Sequence, residues 1–256
     1  VVFLTLKANI CESIIYTIIS ITNRINPCLS RITYIVRQAV DLSLNDYLRG
    51  GKNLMANTLT YFGHAAFMLT HDDQSIVFDP FFTGNTWDKA KAEDIKAQYI
   101  FVSHGHDDHY GDTEAIAKAN DALVISTAEI CQKAAQGGCK TYPLHLGGKV
   151  DLPFGSIRLV PAFHGAGVPG GHAAGCLVDF YGTRLYFAGD TCLYSDMKLH
   201  NRFGDLDYAL LPIGDTYTMG IDDAALAASW VDATITIPIH YKTWPVIDKE
   251  PGRFTA

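Results

Sequence analysis

The feature that most constrains this chain is a short apolar segment that runs directly into a cluster of histidine and aspartate. Residues 99–103, YIFVS, have the composition of a buried strand. The next six residues, HGHDDH, include His104, His106, Asp108 and His109. Because alternate residues of an extended segment point to the same side, the first two histidines can share one metal ion. Asp108 and His109 lie past the turn and can serve a second ion.

The spacing within this cluster is specific. It is neither the i, i+4 spacing of a helical H-E-x-x-H site nor the spacing of a zinc finger. With the histidine and aspartate content of this chain, four such residues at these positions arise by chance in roughly one chain per thousand. The cluster therefore indicates a metal site in preference to a solvated polar loop.

The chain after residue 54 alternates short apolar runs with helical segments. Ten strand candidates are present, many of them bounded by Gly, Pro or Asp. They occupy residues 58–62, 66–70, 75–79, 99–103, 122–126, 156–162, 175–180, 184–188, 208–212 and 234–239. Helices are predicted at residues 113–119, 127–136 and 222–231. Hairpin-like strands followed by strand–helix alternation predict a layered α/β sandwich with much of its sheet buried.

Three further polar residues lie at the ends of predicted strands. They are His164 in PAFHG, Asp190 in YFAGDT and His240 in TIPIHY. Loops at one edge of a sheet commonly build functional sites. Each residue taken alone is as compatible with a structural role as with metal binding. Together with the first cluster, the three indicate further metal ligands.

Charge divides the chain into two parts. The 256 residues carry 20 Lys and Arg against 27 Asp and Glu. Residues 1–54 hold 6 basic and 3 acidic residues, a net +3, which leaves 14 and 24, a net −10, for residues 55–256. We expect residues 1–54 to be an extension outside the natural protein, which would begin at Met55, with a helical extension packed on the domain as the alternative. Residues 55–256 are expected to form one domain, truncated at its C-terminus.

Composition also bounds the partners and the location of the protein. The acidic balance argues against a nucleic-acid surface. The longest apolar run, residues 13–22, is too short to span a membrane, and no signal-peptide order is present. Six cysteines without C-x-x-C pairs favour reduced thiols and a cytoplasmic location.

Seven motifs of this chain resemble those of one enzyme family. They are YFGHAAF, FDPFFTGN, SHGHDDHYGD, PAFHG, YFAGDTCLYSDM, LLPIGDTYTMG and IPIHY. Taken in order over residues 58–245, they resemble the metallo-β-lactamase superfamily of metal-dependent hydrolases. They are more closely similar to the branch related to the L-ascorbate-6-phosphate lactonases. The resemblance implies a four-layer αββα sandwich with the site at one edge, between the two sheets.

The resemblance also implies a role for each candidate residue. His104, His106 and His164 would hold one metal ion, Asp108, His109 and His240 a second, and Asp190 would bridge the two. Asp108 is expected to orient the attacking group and shuttle its proton as the catalytic residue. Asp79 is expected to hold the other ring nitrogen of a ligand histidine. His64 is expected to face the pocket as a substrate contact or proton donor, with a structural role in its Gly-His turn as the alternative.

The expected function is that of a metal-dependent hydrolase acting on a small molecule. A hydroxide that bridges two divalent metal ions would attack a carbonyl or phosphoryl centre in a lactone, amide, thioester or phosphodiester. Zinc is the favoured metal, with manganese or iron as alternatives, because histidine with carboxylate suits all three. An RNA-processing nuclease of the same superfamily and a metal-binding non-enzyme are the alternative functions. A homo-oligomer is compatible with the sequence.

Overall fold

The computed structural model describes residues 57–87 and 90–254. The predicted extension of residues 1–54 and the predicted start at Met55 lie outside these residues, so the domain boundary stays a prediction. None of the described helices is long and apolar enough to cross a membrane. The four described cysteines are free thiols, as their spacing predicts.

The first half of the described chain forms a six-stranded sheet. Its strands, in spatial order, are β1 (Thr58–Gly63), β2 (Ala66–His71), β3 (Gln74–Phe78), β4 (Tyr99–Phe101), β5 (Leu123–Thr127) and β6 (Lys140–Leu144). The first three strands pair antiparallel, and β3 to β6 pair parallel. The antiparallel pairs are joined by tight turns, whereas the parallel pairs are joined by longer connections that include helices.

The second half forms another six-stranded sheet. Its strands are β7 (Lys149–Leu152), β8 (Gly155–Pro161), β9 (Ala174–Phe180), β10 (Thr183–Phe187), β11 (Tyr208–Pro212) and β12 (Ile235–Ile239). Strands β7 to β10 pair antiparallel, and β10 to β12 pair parallel. In both sheets an antiparallel meander therefore continues into parallel strands.

Helices cover the outer faces of both sheets. They are α1 (Asp107–Tyr110), α2 (Thr113–Asn120), α3 (Ala128–Gln136) and α4 (Ile221–Val231). Short 3-10 segments lie at Ala92–Asp94, Ser195–Phe203, Pro245–Ile247 and Pro251–Arg253. One buried cluster joins α2 and α3 to the first sheet, and another joins α4 to the second sheet. A third lies between the two sheets, which confirms the predicted αββα sandwich.

Each central strand is apolar on both faces. In β2, Phe67 and Leu69 belong to the cluster between the sheets, whereas Ala66 lies in the cluster under the helices. Successive side chains of a strand point to opposite faces. This double burial explains why central strands such as β3, β4 and β11 appear in the sequence as apolar runs. The predicted strands β1 and β12 lie at sheet edges, where Thr, Ile and Tyr still favour a strand. All ten predicted strands are present, with ends displaced by at most two residues.

The sequence prediction missed β6, β7 and α1. Strands β6 and β7 lie at the edges of their sheets and are largely exposed, so they lack an apolar run. Pro143 in β6 is tolerated because an edge strand leaves one side of its backbone unpaired. Helix α1 has only four residues, too few to show helical periodicity.

The core between the sheets is centred on four phenylalanines. The ring of Phe187 lies 5.1 Å from Phe67, 5.9 Å from Phe78 and 6.1 Å from Phe101. All four side chains are fully buried. Phe187 comes from the second sheet and the other three from the first, so this contact holds the sheets together.

Replacing Phe187 by alanine tests that packing. We expect Phe187→Ala to lower the free energy of unfolding by about 3–5 kcal/mol, because it removes a fully buried ring and leaves a cavity. Denaturant titration measures the change. Leu226→Ala on the exposed face of α4, where the side chain is 44% exposed, is the control and should stay within about 0.5 kcal/mol of the parent. A loss below about 1 kcal/mol for Phe187→Ala would contradict the packing.

Candidate metal centre

The predicted ligands converge at one edge of the sandwich. His104 and His106 follow β4, and His164, Asp190 and His240 follow β8, β10 and β12. Asp108 and His109 lie in α1, whose first turn begins directly after His106. Strand ends from both sheets thus bring together all seven residues that the sequence singled out.

One group of histidines matches the set expected for the first metal ion. One ring nitrogen from each of His104, His106 and His164 can be chosen so that the three lie within 4.8 Å of one another. His104 Nε2 is 2.9 Å from His106 Nδ1. Neighbouring ligands of a tetrahedral ion with metal–nitrogen bonds of about 2.0–2.1 Å lie about 3.3–3.4 Å apart, so small shifts of these rings would let them share one ion.

A second group contains the residues expected for the other ion. Asp108 Oδ2 lies 3.6 Å from His109 Nε2 and 3.8 Å from His240 Nε2. His64 joins this group, because its Nε2 is 3.0 Å from the same carboxylate oxygen. His64 is fully buried, so the structure places it against Asp108 and not in contact with solvent.

Asp190 connects the two groups. Its Oδ2 lies 3.5 Å from His164 Nε2 in the first group. The same oxygen lies 3.3 Å from His109 Nε2 and 3.1 Å from His240 Nε2 in the second. A single carboxylate oxygen therefore faces ligand nitrogens from both groups.

The backbone before Asp190 requires glycine. Gly189 has a φ of +59°, and a Cβ at this position would lie 2.9 Å from the Cβ of Ser103. Any side chain here would clash with the segment that carries His104. Gly189 thus lets the chain leave β10 and turn Asp190 into the cluster.

Asp79 orients two of the histidines from behind. His109 Nδ1 lies 2.6 Å from Asp79 Oδ2. The sequence predicts that Asp79 contacts a histidine of the cluster in this way but does not identify which one. The Ser103 backbone N–H and hydroxyl also donate to Asp79, at 2.7 and 2.5 Å. Ser103 Oγ in turn lies 2.9 Å from His104 Nδ1. These bonds leave Nε2 of both histidines facing the cluster, as ligand histidines require.

The donor set fits a divalent metal ion. Since His109 Nδ1 donates to Asp79, Nε2 of a neutral ring presents a lone pair to Asp190 and Asp108. This nitrogen is buried and has no hydrogen-bond partner among the described residues, and the same holds for Asp190 Oδ1. Buried carboxylates beside lone pairs need positive charge between them. Imidazole nitrogen with carboxylate oxygen is a ligand set for zinc, manganese or iron.

The pKa values of the histidines support this interpretation. Burial lowers the pKa of His109, but the carboxylates of Asp190 and Asp79 outweigh it and hold the pKa well above its usual value. Burial also lowers the pKa of His240, but the carboxylates of Asp190 and Asp108 outweigh it and raise the pKa to about 9. Burial instead holds the pKa of His104 well below its usual value. The raised pKa values show that His109 and His240 lie in a negative field, and the lowered pKa shows that the His104 ring is neutral. A divalent ion would supply positive charge to that field and bind the neutral ring.

The cluster opens into a cleft of about 590 Å³. Its lining includes His106, Asp108, His164, Asp190 and His240. The candidate ligands are therefore accessible to a small molecule. A ligand pocket typically has a volume of about 300–1,000 Å³, so the cleft has the size of a substrate site.

Residues 58–240 match the family model described as a β-lactamase superfamily domain. The chain belongs to this superfamily. A UPF0173 metal-dependent hydrolase from Natranaerobius thermophilus is 45% identical over 196 residues, covering 77% of this chain and 88% of that protein. The UPF0173 metal-dependent hydrolase YtkL from Bacillus subtilis is 43% identical over 205 residues, covering 77% and 90%.

A solved structure shares the fold of this superfamily member. Igni18, described as a metallo hydrolase from the archaeon Ignicoccus hospitalis, matches with a TM-score of 0.72 and 34% identity. The match covers 77% of this chain and 88% of that one. These comparisons confirm the predicted superfamily. They also confirm that the chain is a metal-dependent hydrolase. The finer resemblance to ascorbate-6-phosphate lactonases stays a prediction.

Sequence reasoning missed three kinds of residue at the site. The sequence pattern gives Ser103 only as the end of a strand, although its place directly before His104 is a signal of a supporting role. Thr243 contacts His64 from three residues beyond His240, where no motif marks it. The third kind is the set of apolar side chains that line the cleft. Phe81 and Tyr217 lie in two of the quoted motifs and Trp244 and Val246 lie outside them, and only the fold brings the four together.

Asp79→Asn tests the support of the histidines. We expect metal affinity to fall about 10- to 100-fold, because the amide cannot accept hydrogen bonds from both His109 and Ser103 as the carboxylate does. Competition with a chromophoric chelator measures the affinity. Asp223→Asn, at an exposed position of α4, is the matched control and should bind metal like the parent. Equal affinity in the two variants would show that Asp79 does not act through the ligands.

Proposed function

We propose that this chain hydrolyses an ester-type bond of a small molecule at a binuclear metal centre. His104, His106 and His164 would hold one ion, and Asp108, His109 and His240 the other, with Asp190 as the bridge. The observation that carries the proposal is the position of Asp190 Oδ2, within 3.5 Å of nitrogens from both groups. Zinc is the favoured metal, with manganese or iron as alternatives.

Two divalent ions held by these residues would lower the pKa of a bound water to about 7 and polarise the bond to be cleaved. The carbonyl of a lactone, thioester or amide, or the phosphorus of a phosphodiester, is the electrophile that this chemistry suits. The residues of the chain then have to orient the water, accept its proton and return a proton to the leaving group.

Asp108 is the residue proposed to handle that proton. It lines the cleft, and its side chain is 23% exposed, so its carboxylate can reach both the centre and a bound substrate. A carboxylate in this position accepts a proton from the attacking water and can pass it to the departing oxygen, nitrogen or sulfur.

His64 is proposed as the positioning residue for Asp108. Its Nε2 lies 3.0 Å from Asp108 Oδ2, and its Nδ1 lies 2.8 Å from Thr243 Oγ1. Burial lowers the pKa of His64 to about 4, so the ring is neutral and carries one N–H. Because the Asp108 carboxylate can only accept, the N–H lies on Nε2 and donates to Asp108. The Thr243 hydroxyl then donates to Nδ1 and stabilises this tautomer.

Metal removal with a substrate panel tests the proposed function. We expect chelated protein to be inactive and to regain activity with Zn²⁺, Mn²⁺ or Fe²⁺ against at least one of a lactone, a thioester, an amide and a p-nitrophenyl phosphodiester. His106→Ala should lower both metal content and kcat/KM, the latter by at least about 100-fold. His145→Ala, at an exposed histidine after β6, is the matched control. Absence of turnover of every class by metal-loaded protein, with unchanged metal content in His106→Ala, would contradict the proposal.

Thr243→Val tests the positioning of Asp108. The change keeps the shape of the side chain but leaves His64 Nδ1 without its donor. We expect kcat to fall about 5- to 10-fold, the cost of about 1 kcal/mol of hydrogen bonding, with KM and metal content unchanged. Thr243→Ser, which keeps the hydroxyl, should restore kcat. Steady-state kinetics at saturating metal checks this, and a loss shared equally by the valine and serine variants would indicate a packing role only.

A further inference from the structure

The part of the cleft that does not hold candidate ligands is almost entirely apolar. Apart from those ligands and Asp107, its described lining consists of Phe81, Tyr217, Trp244 and Val246. These four residues are called the apolar wall below. They come from the loop after β3, from the loop between β11 and α4, and from the segment after β12.

The apolar wall is supported by its own contacts. The Trp244 ring lies 4.9 Å from His64 and 6.2 Å from Phe81. Thr216 Oγ1 donates to the carbonyl of Val246 at 3.0 Å, which ties the Tyr217 loop to the segment after β12. The wall is therefore a built surface and not a chance grouping of loop tips.

Two members of the wall expose apolar surface to solvent. Tyr217 is 55% exposed and Val246 is 45% exposed. Apolar side chains left open beside a reactive centre mark a surface that covers part of a ligand. An apolar group of the substrate would bury this surface.

Positive side chains are absent from the described lining of the cleft. Lys242 and Lys249 flank the Trp244–Val246 segment, but their ammonium groups pair with Glu250 at 2.5 Å and Asp215 at 2.8 Å. Asp107 adds a negative charge to the lining. A phosphate on the substrate, away from the bond that is cleaved, would meet the Asp107 carboxylate and only two neutral donors, the Tyr217 hydroxyl and the Trp244 indole N–H, with no positive side chain in the described lining to offset its charge.

We propose, on the basis of the proposed hydrolase function, that the cleft selects neutral esters or lactones with an apolar substituent over substrates that carry a phosphate. The apolar substituent lies against Tyr217, Trp244 and Val246 while the bond to be cleaved meets the metal centre. Phosphorylated sugar lactones and RNA, which carry phosphate away from that bond, are disfavoured substrates.

Chain length and charge can be varied separately in a lactone series. For γ-lactones with alkyl substituents from methyl to hexyl, we expect kcat/KM to rise about three- to fourfold per methylene until the wall is covered. A phosphate at the end of the hexyl chain should lower kcat/KM by at least about 100-fold relative to hexyl itself. A flat dependence on chain length, or a preference for the phosphorylated lactone, would overturn the inference while turnover itself upholds the proposed function.

Binding of inert analogues separates the two proposals. The matching γ-lactams carry an amide in place of the ester. For those that a preliminary assay shows to be uncleaved, dissociation constants can be measured calorimetrically with metal-loaded protein. Affinity that rises with chain length and is lost with the terminal phosphate supports the inference, whether or not any lactone is turned over. Absence of lactone turnover would count against the proposed function alone. Lactam affinity independent of chain length and charge would overturn the inference.

A charge introduced into the wall gives a second test. We expect Val246→Arg to raise the ratio of phosphorylated to neutral lactone kcat/KM by at least about tenfold, because it supplies the missing cation. Leu226→Arg, at a position of similar exposure on α4, is the matched control and should leave the ratio unchanged. An unchanged ratio in both variants, with Val246→Arg folded and metal-loaded, would show that this wall does not contact the substituent.

Discussion

The buried carboxylate of Asp190 is the interaction on which the site depends. A carboxylate removed from water is stable only beside positive charge and hydrogen-bond donors. Here it is 2% exposed and faces nitrogens of His109, His164 and His240. His109 comes from α1, which lies between β4 and β5 of the first sheet, and the other two come from strand ends of the second sheet. The requirement of one carboxylate therefore couples the two sheets at the open edge of the sandwich. A cation bound there stabilises the folded state, because the unfolded chain cannot assemble the same ligands.

Much of the fold could be predicted because its central strands are buried on both faces. Strands such as β3 and β11 face helices on one side and the opposite sheet on the other, so every position favours an apolar residue. Strands β6 and β7 could not be predicted in this way. At a sheet edge only part of the strand is buried, and residues such as Lys140 and Pro143 then carry no penalty. What decides their strand state is pairing with a distant segment, which a local pattern does not contain.

The candidate site also contains residues that the local sequence predicts and residues that only the fold brings together. Its candidate ligands could be predicted because five of the seven lie within five residues after a strand, and Asp108 and His109 belong to the same short cluster as His104 and His106. The contacts of Ser103 and Thr243 could not be predicted in full, since they depend on which loops the fold brings together. Thr243 is separated from His64 by 179 positions, yet their side chains lie 2.8 Å apart. Asp79 is intermediate: the end of β3 suggested a supporting role, but only the structure identifies His109 as its partner.

The segment after β12 links substrate binding to the chemistry. Thr243 contacts His64, which holds Asp108, whereas the next residue, Trp244, packs its ring on His64 and also lines the cleft. A substituent that presses on Trp244 therefore acts on the same histidine that orients the carboxylate. In the proposed mechanism, apolar contact far from the cleaved bond would favour the geometry in which Asp108 accepts a proton. Binding energy from a non-reacting part of the substrate would then raise kcat as well as lower KM, as expected when remote contacts are used to orient reacting groups.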